Sequence, residues 1–226
     1  MATRPAKRLG TEAQWDSAEG ALHEALKANG LAYDLNPGDG TFYGPKIDIY
    51  VGDALGRSWQ IATIQVDLTM LPERFQLEYI DAEGKPRRPV VIHRAIYGSY
   101  ERFVGIITEH FAGAFPTWLA PVQARVLPVS DKHIEYARVV HARLRAARLR
   151  AELDDRNEKL GYRIRDAQVR KVPYMLVVGA REAQSGTVSL RHRSGEELKD
   201  LALDRVLADL AREIAARAPN LTVGRS

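Results

Sequence analysis

Two kinds of periodicity predict an α/β chain built in two parts. Between Lys46 and Val51, the residues Ile47, Ile49 and Val51 alternate with Lys46, Asp48 and Tyr50, and further strand-like runs follow across turn residues. That is the pattern of an antiparallel sheet with one buried face. After Pro116 the strand-like runs alternate with helical ones, which predicts a three-layer α/β domain with a mostly parallel sheet. The stretch Ala114 to Pro121 carries two prolines beside Phe115 and Trp118, and reads as a stiff, packed linker. Domains are therefore expected at 1–115 and 116–226.

A chain of 226 residues holds one large domain or two ordinary ones. Its 45% hydrophobic and 27% charged content belong to a soluble globular protein. The absence of cysteine excludes a disulfide or a thiolate metal ligand within the chain. No apolar run approaches the roughly 18 residues a membrane span needs, and the start lacks an apolar signal core, so a cytoplasmic protein with no membrane partner is expected. The charge is uneven. Up to Trp118 there are 12 Lys/Arg against 15 Asp/Glu, and from Leu119 there are 21 against 14. An acidic first part joined to a basic second part is expected if the second meets a polyanion.

Thr11 and Gln14 have capping-box spacing, and Trp15, Ala18, Leu22 and Leu26 follow on one helical face, with Gly30 placed to end the helix. Turn residues 36–40 lead to the strand at 46–51, and Gly52 to Gly56 reads as a hairpin turn into SWQIATIQV. A third run at 76–80 and a turn at 81–85 are expected to complete a meander that ends at Val90 to Ile92. That last strand feeds a helix on which Ile96, Tyr100, Phe103, Val104, Ile107 and Phe111 recur at three- and four-residue steps, predicting one buried face.

Chemistry gathers at this join. His93, Ser99, Glu101 and Arg102 cluster around Gly98, whose missing side chain lets backbone or ligand come close. An Arg in the first turn of a helix suits a nucleotide phosphate, because the helix start favours anions and the guanidinium adds a charged fork. Gln60 shares a strand face with Ala62 and Ile64, whereas Gln65 lies five residues on and points to the opposite face under strict alternation. The two glutamines reach one pocket only if the strand bulges or ends between them.

Four blocks in order carry a family resemblance: Tyr43-Gly44-Pro45-Lys46-Ile47-Asp48, Trp59-Gln60 with Thr63 to Asp67, Leu71-Pro72-Glu73-Arg74, and Ile92 to Ile96 with Gly98-Ser99 and Glu101-Arg102-Phe103. They resemble threonyl-tRNA synthetase, a class II aminoacyl-tRNA synthetase, and the last block looks like motif 3 of that class. The resemblance covers nearly the whole chain and corresponds to the C-terminal half of the enzyme. It implies an antiparallel-sheet core portion followed by a three-layer α/β anticodon-binding domain. It further implies ATP, with Mg, as a substrate, activation of threonine, and transfer to tRNA(Thr). Arg102 would bind ATP phosphate, Gln60 would help to position ATP, and Tyr43, Gln65 and Ser99 would line the threonine pocket. His93 would be one ligand of a zinc ion in the complete enzyme. Zinc needs three protein ligands plus an open position, so it is not expected on this chain alone. Motifs 1 and 2 have no counterpart here. The resemblance therefore leaves open a homodimer, a complementary N-terminal half, or a non-catalytic tRNA-binding module.

In the second part the same resemblance places Asn157, Glu182 and Arg191 at positions that read anticodon bases. Amide, carboxylate and guanidinium groups suit the edges of unstacked bases. Arg163, Arg165, Arg170 and Lys171 are expected to contact phosphates or to form a solvated face. Strands are expected at 123–129, 150–153, 174–178 and 187–190. Helices are expected after Ser130, with Ile134, Ala137, Leu144 and Ala147 inward, at 160–171 and near 203–218.

Overall fold

Thr11 opens the first helix as its spacing predicts. In the computed structural model, which describes residues 1–224, α1 spans Glu12–Ala28. Thr11 Oγ1 accepts from the Gln14 amide at 3.3 Å, and Gln14 Oε1 accepts from the Thr11 amide at 2.8 Å. Trp15, Ala18, Leu22 and Leu26 are its buried residues, and the last three pack with Met1 and Val66 against Ile47, Ile64 and Leu68. The chain divides into two units, Met1–Ile107 and a second that begins at Thr108.

The sheet of the first unit contains β1 (Lys46–Gly52), β2 (Ser58–Asp67) and, after α2 (Met70–Arg74) and two short strands, β5 (Val91–Ala95). Its order is β1-β2-β5, all antiparallel. Asp53 closes the expected hairpin. Its carboxylate accepts from the Trp59 indole at 2.9 Å and from the backbone of Leu55 and Arg57, each at 2.9 Å, which holds the carboxyl well below its ordinary range.

Two expectations fail in this unit. The run at 76–80 does not join the meander. Tyr79–Ile80 (β3) pairs only with Pro86–Arg87 (β4), as a separate ribbon around the Asp81 turn, and β5 takes the place beside β2. Pro86 has no amide to extend a ladder, which keeps that ribbon short. The helix α3 (Tyr100–His110) has the predicted apolar face but no buried residue; Tyr100 is 79% and Val104 53% exposed, and Ile96, expected on the helix, precedes it and is 55% exposed. Periodicity reports that a face is apolar, and covering it requires an element to pack there.

The second unit runs β6 (Ala124–Pro128), a 3₁₀ turn, α4 (Ile134–Ala146), β7 (Ala151–Leu153), α5 (Leu160–Val169), β8 (Tyr174–Val178), α6 (Ala180–Ser185), β9 (Thr187–His192), β10 (Glu197–Ala202) and α7 (Leu203–Ala215). The strand order is β10-β9-β8-β6-β7. One sheet face, with Val126, Tyr174, Leu176, Val188 and Leu190, packs on Val140 and Leu144 of α4 and on Val206 and Leu210 of α7. The other, with Leu127 and Met175, packs on Ala167 and Ile164 of α5. These are the three expected layers. On α4 the inward residues are Ala137, Val140 and Leu144, while Ala147 is exposed.

The sheet is mixed rather than mostly parallel. β6 runs parallel to β7 and β8, but β8–β9 and β9–β10 are antiparallel. Gly186, at φ +70°, ends α6 and returns the chain beside β8, a turn only glycine makes cheaply. No helix among the described residues is long and apolar enough to cross a membrane.

Candidate functional site

The β1–β2 register settles the placement of the two glutamines. Ile49 pairs with Ala62, and the next residue of β1, Tyr50, pairs with Gln60, so Ile61 is an unpaired extra residue. This β-bulge resets the alternation. Residues directly opposite each other share a face. Gln60, Thr63 and Gln65 therefore lie on the face of Tyr50, Asp48 and Lys46, and His93, opposite Gln65 on β5, joins them. The other face of the sheet carries Ile47, Ile64 and Val66 against α1. One surface is thus a hydrophobic core and the other a continuous polar floor.

Hydrogen bonds order that floor. Gln60 Nε2 donates to Asp48 Oδ1 at 2.7 Å, and the Lys46 ammonium lies 2.7 Å from Asp48 Oδ2. Burial pulls the Lys46 ammonium down, but its bond to Asp48 and the carboxylate charge outweigh that and hold it above its ordinary value. Tyr43 Oη donates to Gln65 Oε1 at 2.7 Å, and the Tyr43 ring stacks on His93 with centroids 5.7 Å apart. Two buried polar atoms on this floor have no hydrogen-bond partner, Thr63 Oγ1 and His93 Nε2. Such atoms keep hydrogen-bonding capacity that a bound group or an ordered water can satisfy.

Asp67 lies on the same face, fully buried at the end of β2. Its carboxylate accepts from the amides of Thr69 (3.0 Å), Met70 (2.8 Å) and Leu71 (3.1 Å), which starts α2. It also stands 3.5 Å from His93 Nε2. These are the residues nearest to a metal site, and they do not complete one. Among the described residues no three His, Asp or Glu side chains converge, and both Asp67 oxygens already serve the backbone. The residues present do not by themselves fit a zinc ion.

Ser99 and Arg102 come from the next turn. Gly98, at φ +70°, passes beside the bulge; a Cβ built there would sit 3.8 Å from the carbonyl oxygens of Gln60 and Ile61. Ser99 Oγ accepts from the Arg102 amide at 3.2 Å and so caps α3. Arg102 is exposed in the first turn and forms no ion pair among the described residues. Asp48, Thr63 and Asp67 complete the polar floor without having been marked as site residues. Their signal was simple alternation, Lys46-Asp48 on β1 and Thr63-Gln65-Asp67 on β2, whereas the placement of Gln60 beside them depends on the bulge.

In the second unit, Glu182 and Arg191 share a neighbourhood. Glu182 Oε2 accepts from the Gly179 amide at 3.0 Å, and Glu182 Oε1 accepts from Ser189 Oγ at 2.8 Å. Burial raises this carboxyl, but the Ser189 hydroxyl and the backbone amides outweigh it, so the group stays ionised below its ordinary value. Ser189 and Arg191 lie two apart on β9, opposite the face that buries Val188 and Leu190. Arg191 Nη1 stands 3.5 Å from Glu197, and its buried Nε has no hydrogen-bond partner. Asn157 is exposed on the loop after β7. Since β7 and β8 both run parallel to β6, Asn157 and Glu182 follow strand ends at the same carboxyl edge of the sheet, where open α/β sheets bind ligands.

Of the four basic residues expected to face phosphates or solvent, one is elsewhere. Arg163 is buried, held by backbone carbonyls, because it occupies the inward face of α5. Arg165, Arg170 and Lys171 are exposed, and Arg170 pairs with Asp166 at 3.2 Å.

Residues 9–111 match the tRNA synthetase class II core domain (G, H, P, S and T), and residues 123–213 match the anticodon binding domain. Core and anticodon-binding modules in this order define a class II aminoacyl-tRNA synthetase. A threonine–tRNA ligase of Caldanaerobacter subterraneus is 56% identical over 96% of this chain and 34% of the relative, and one from Thermotoga neapolitana is 52% identical over 99% and 35%. Over nearly its whole length the chain is similar to the C-terminal part of these threonine–tRNA ligases, and it spans about a third of their length. The RNA-binding domain of the threonyl-tRNA synthetase of Cryptosporidium parvum superposes with a TM-score of 0.82 at 45% identity, over 93% of this chain and 53% of that one.

Proposed function

We propose that this chain supplies the motif 3 side of the activation site and the anticodon-binding domain of a threonine–tRNA ligase, which joins threonine to tRNA(Thr) at the expense of ATP. The single observation that carries the activation site is the bulge at Ile61, which gathers Gln60, Thr63, Gln65 and His93 on one polar floor. In this reading Gln60, oriented by Asp48, positions the nucleotide. Tyr43, Gln65 and Ser99 contact threonine. Arg102, free of any carboxylate among the described residues, offsets charge on the phosphates as pyrophosphate leaves. Mg would accompany the ATP. His93 offers a single nitrogen toward a zinc ion, so any zinc requires ligands beyond those described. Catalytic and anticodon-binding parts are assigned to 1–115 and 116–226, and the chain is taken to work in the cytoplasm.

A second reading, a tRNA-binding module without catalysis, is favoured by one observation: α3, which carries Arg102, has no buried residue. The apolar face of that helix, only partly covered with Tyr100 and Val104 exposed, and the outer edges of β5 and of β1 beyond Lys46, which no strand among the described residues pairs, support a need for further protein there, either a second copy or a complementary N-terminal half. Threonine-dependent ATP–pyrophosphate exchange separates the two. Exchange by this chain alone rejects the binding module. Exchange only after addition of a polypeptide that supplies the rest of the core identifies a split ligase.

The anticodon assignment predicts a contrast between two variants. Asn157→Ala should lower affinity for tRNA(Thr) about tenfold while leaving other tRNAs within about twofold. Arg170→Ala should weaken all tRNAs together and flatten the salt dependence by roughly one phosphate contact. Filter binding across a salt series measures both, and an unchanged ranking of tRNAs in Asn157→Ala would remove Asn157 from base reading.

A further inference from the structure

Arg163 is 4% exposed on α5, and among the described residues no carboxylate lies within ion-pairing distance of it. Three backbone carbonyls meet its charge instead. Nε donates to Glu158 at 3.1 Å, Nη1 to Asp154 at 2.7 Å and Nη2 to Pro128 at 2.7 Å. Pro128 ends β6, Asp154 follows β7, and Glu158 is the residue after Asn157. A single planar guanidinium therefore ties both flanks of Asn157 to the carboxyl edge of the sheet, which a point-like ammonium does not span. The neighbouring side chain is held as well. Arg156 donates to Asp154 at 2.8 and 2.7 Å and to Asp166 at 2.9 Å, and Asp166 accepts from the buried Arg125 at 3.0 Å.

We propose that Arg163 is a specificity-determining positioning residue, which orders the loop 154–158 before RNA arrives and so places the Asn157 amide against a base edge. The inference rests on the base-reading role assigned to Asn157 above. Burying an arginine against carbonyls alone is costly, and a surface loop needs no such anchor merely to connect a strand to a helix. An anchor of this kind is useful where the loop must hold one geometry, because ordering completed in advance is not charged against binding.

The test uses the full chain with two RNAs, the anticodon stem-loop of tRNA(Thr) and the same stem-loop with one anticodon base replaced. Arg163→Lys should cut the affinity ratio between them about tenfold. Affinity for the substituted loop should move less than about twofold, and the slope of log affinity against log salt should not change. A merely structural role would lower the melting temperature and weaken both RNAs alike. A phosphate contact would weaken both and reduce the slope by about 0.7. Either result, or an unchanged ratio, overturns the proposal. In the unaltered chain without RNA, backbone order parameters across 155–158 should lie near about 0.85, and values below about 0.6 would overturn it even if Arg163→Lys failed to fold. If Asn157→Ala keeps the ratio while Arg163→Lys loses it, the role given to Asn157 fails and the positioning of the loop stands.

Discussion

Gly44→Ala should unfold or nearly unfold the first unit, at a cost of more than about 3 kcal/mol. A Cβ built on Gly44 would fall inside the van der Waals shell of the Val66 carbonyl oxygen, with the Val66 carbonyl carbon at 2.9 Å. Both obstructing atoms are backbone, so no rotamer change relieves the clash. The strand cannot retreat cheaply, because the Val66 amide donates to the Pro45 carbonyl at 3.2 Å and the Gly44 carbonyl accepts from Thr41 Oγ1 at 2.7 Å. The effect also reaches the site. Tyr43 precedes Gly44, and its bond to Gln65 depends on the same close approach. Urea titration followed through the fluorescence of Trp15, which is 2% exposed, measures the loss. A midpoint within about 0.3 M of the parent would show that the approach of Gly44 to β2 is looser than described.

Glu213→Ala should destabilise the second unit by about 3–5 kcal/mol. Glu213 is 3% exposed on α7, and its Oε2 accepts from Tyr174 Oη at 2.7 Å, from the Thr222 amide at 2.6 Å and hydroxyl at 2.8 Å, and from the Val223 amide at 3.2 Å. Truncation takes the acceptor away from the Tyr174 hydroxyl and from the Thr222 amide and hydroxyl, while the Val223 amide keeps Tyr174 Oη at 3.2 Å. The segment at 222–223 should detach first, visible as faster amide exchange there. Glu213→Gln keeps an acceptor and should recover about half of the loss.

The same contact sets an alkaline limit. Burial, together with Glu213, pushes the Tyr174 phenol well above its ordinary value near 10.0. A group with a raised folded-state pKa contributes its full stability below the unfolded value, and loses it as pH climbs through the window above that value. Stability of the parent should therefore fall from about pH 10 upward, and Tyr174→Phe should flatten that decline. An equal alkaline decline in Tyr174→Phe would assign it to other groups.

Much of this architecture was legible in the amino-acid order. Thr11 and Gln14 announced the helix start, Trp15, Ala18, Leu22 and Leu26 its buried stripe, and 174–178 the central strand of the second unit, because each follows from local spacing alone. β10 was not legible. Its leucines, Leu198 and Leu201, lie three apart across a register shift that includes Asp200 at φ +57°, so the strand lacks the period-two signal. The six-residue α6 is too short to show a helical period. The strand at 187–190 was legible, but its antiparallel run beside β8 was missed for the same reasons.

For the site, local order determined which chemistries were available: the glutamines on β2, His93, Ser99 and Arg102 around a glycine turn, and the polar residues Asn157, Glu182 and Arg191. Only tertiary structure decided their arrangement. One extra residue in a strand turns every later side chain to the other face, so the bulge at Ile61, invisible in composition or periodicity, made one polar floor of residues that alternation had set apart. Arg163 shows the same limit from the other direction. Its residue type reads as surface charge, and only the carbonyls of Pro128, Asp154 and Glu158, which folding brings around one inward-facing helix position, make it a buried clamp.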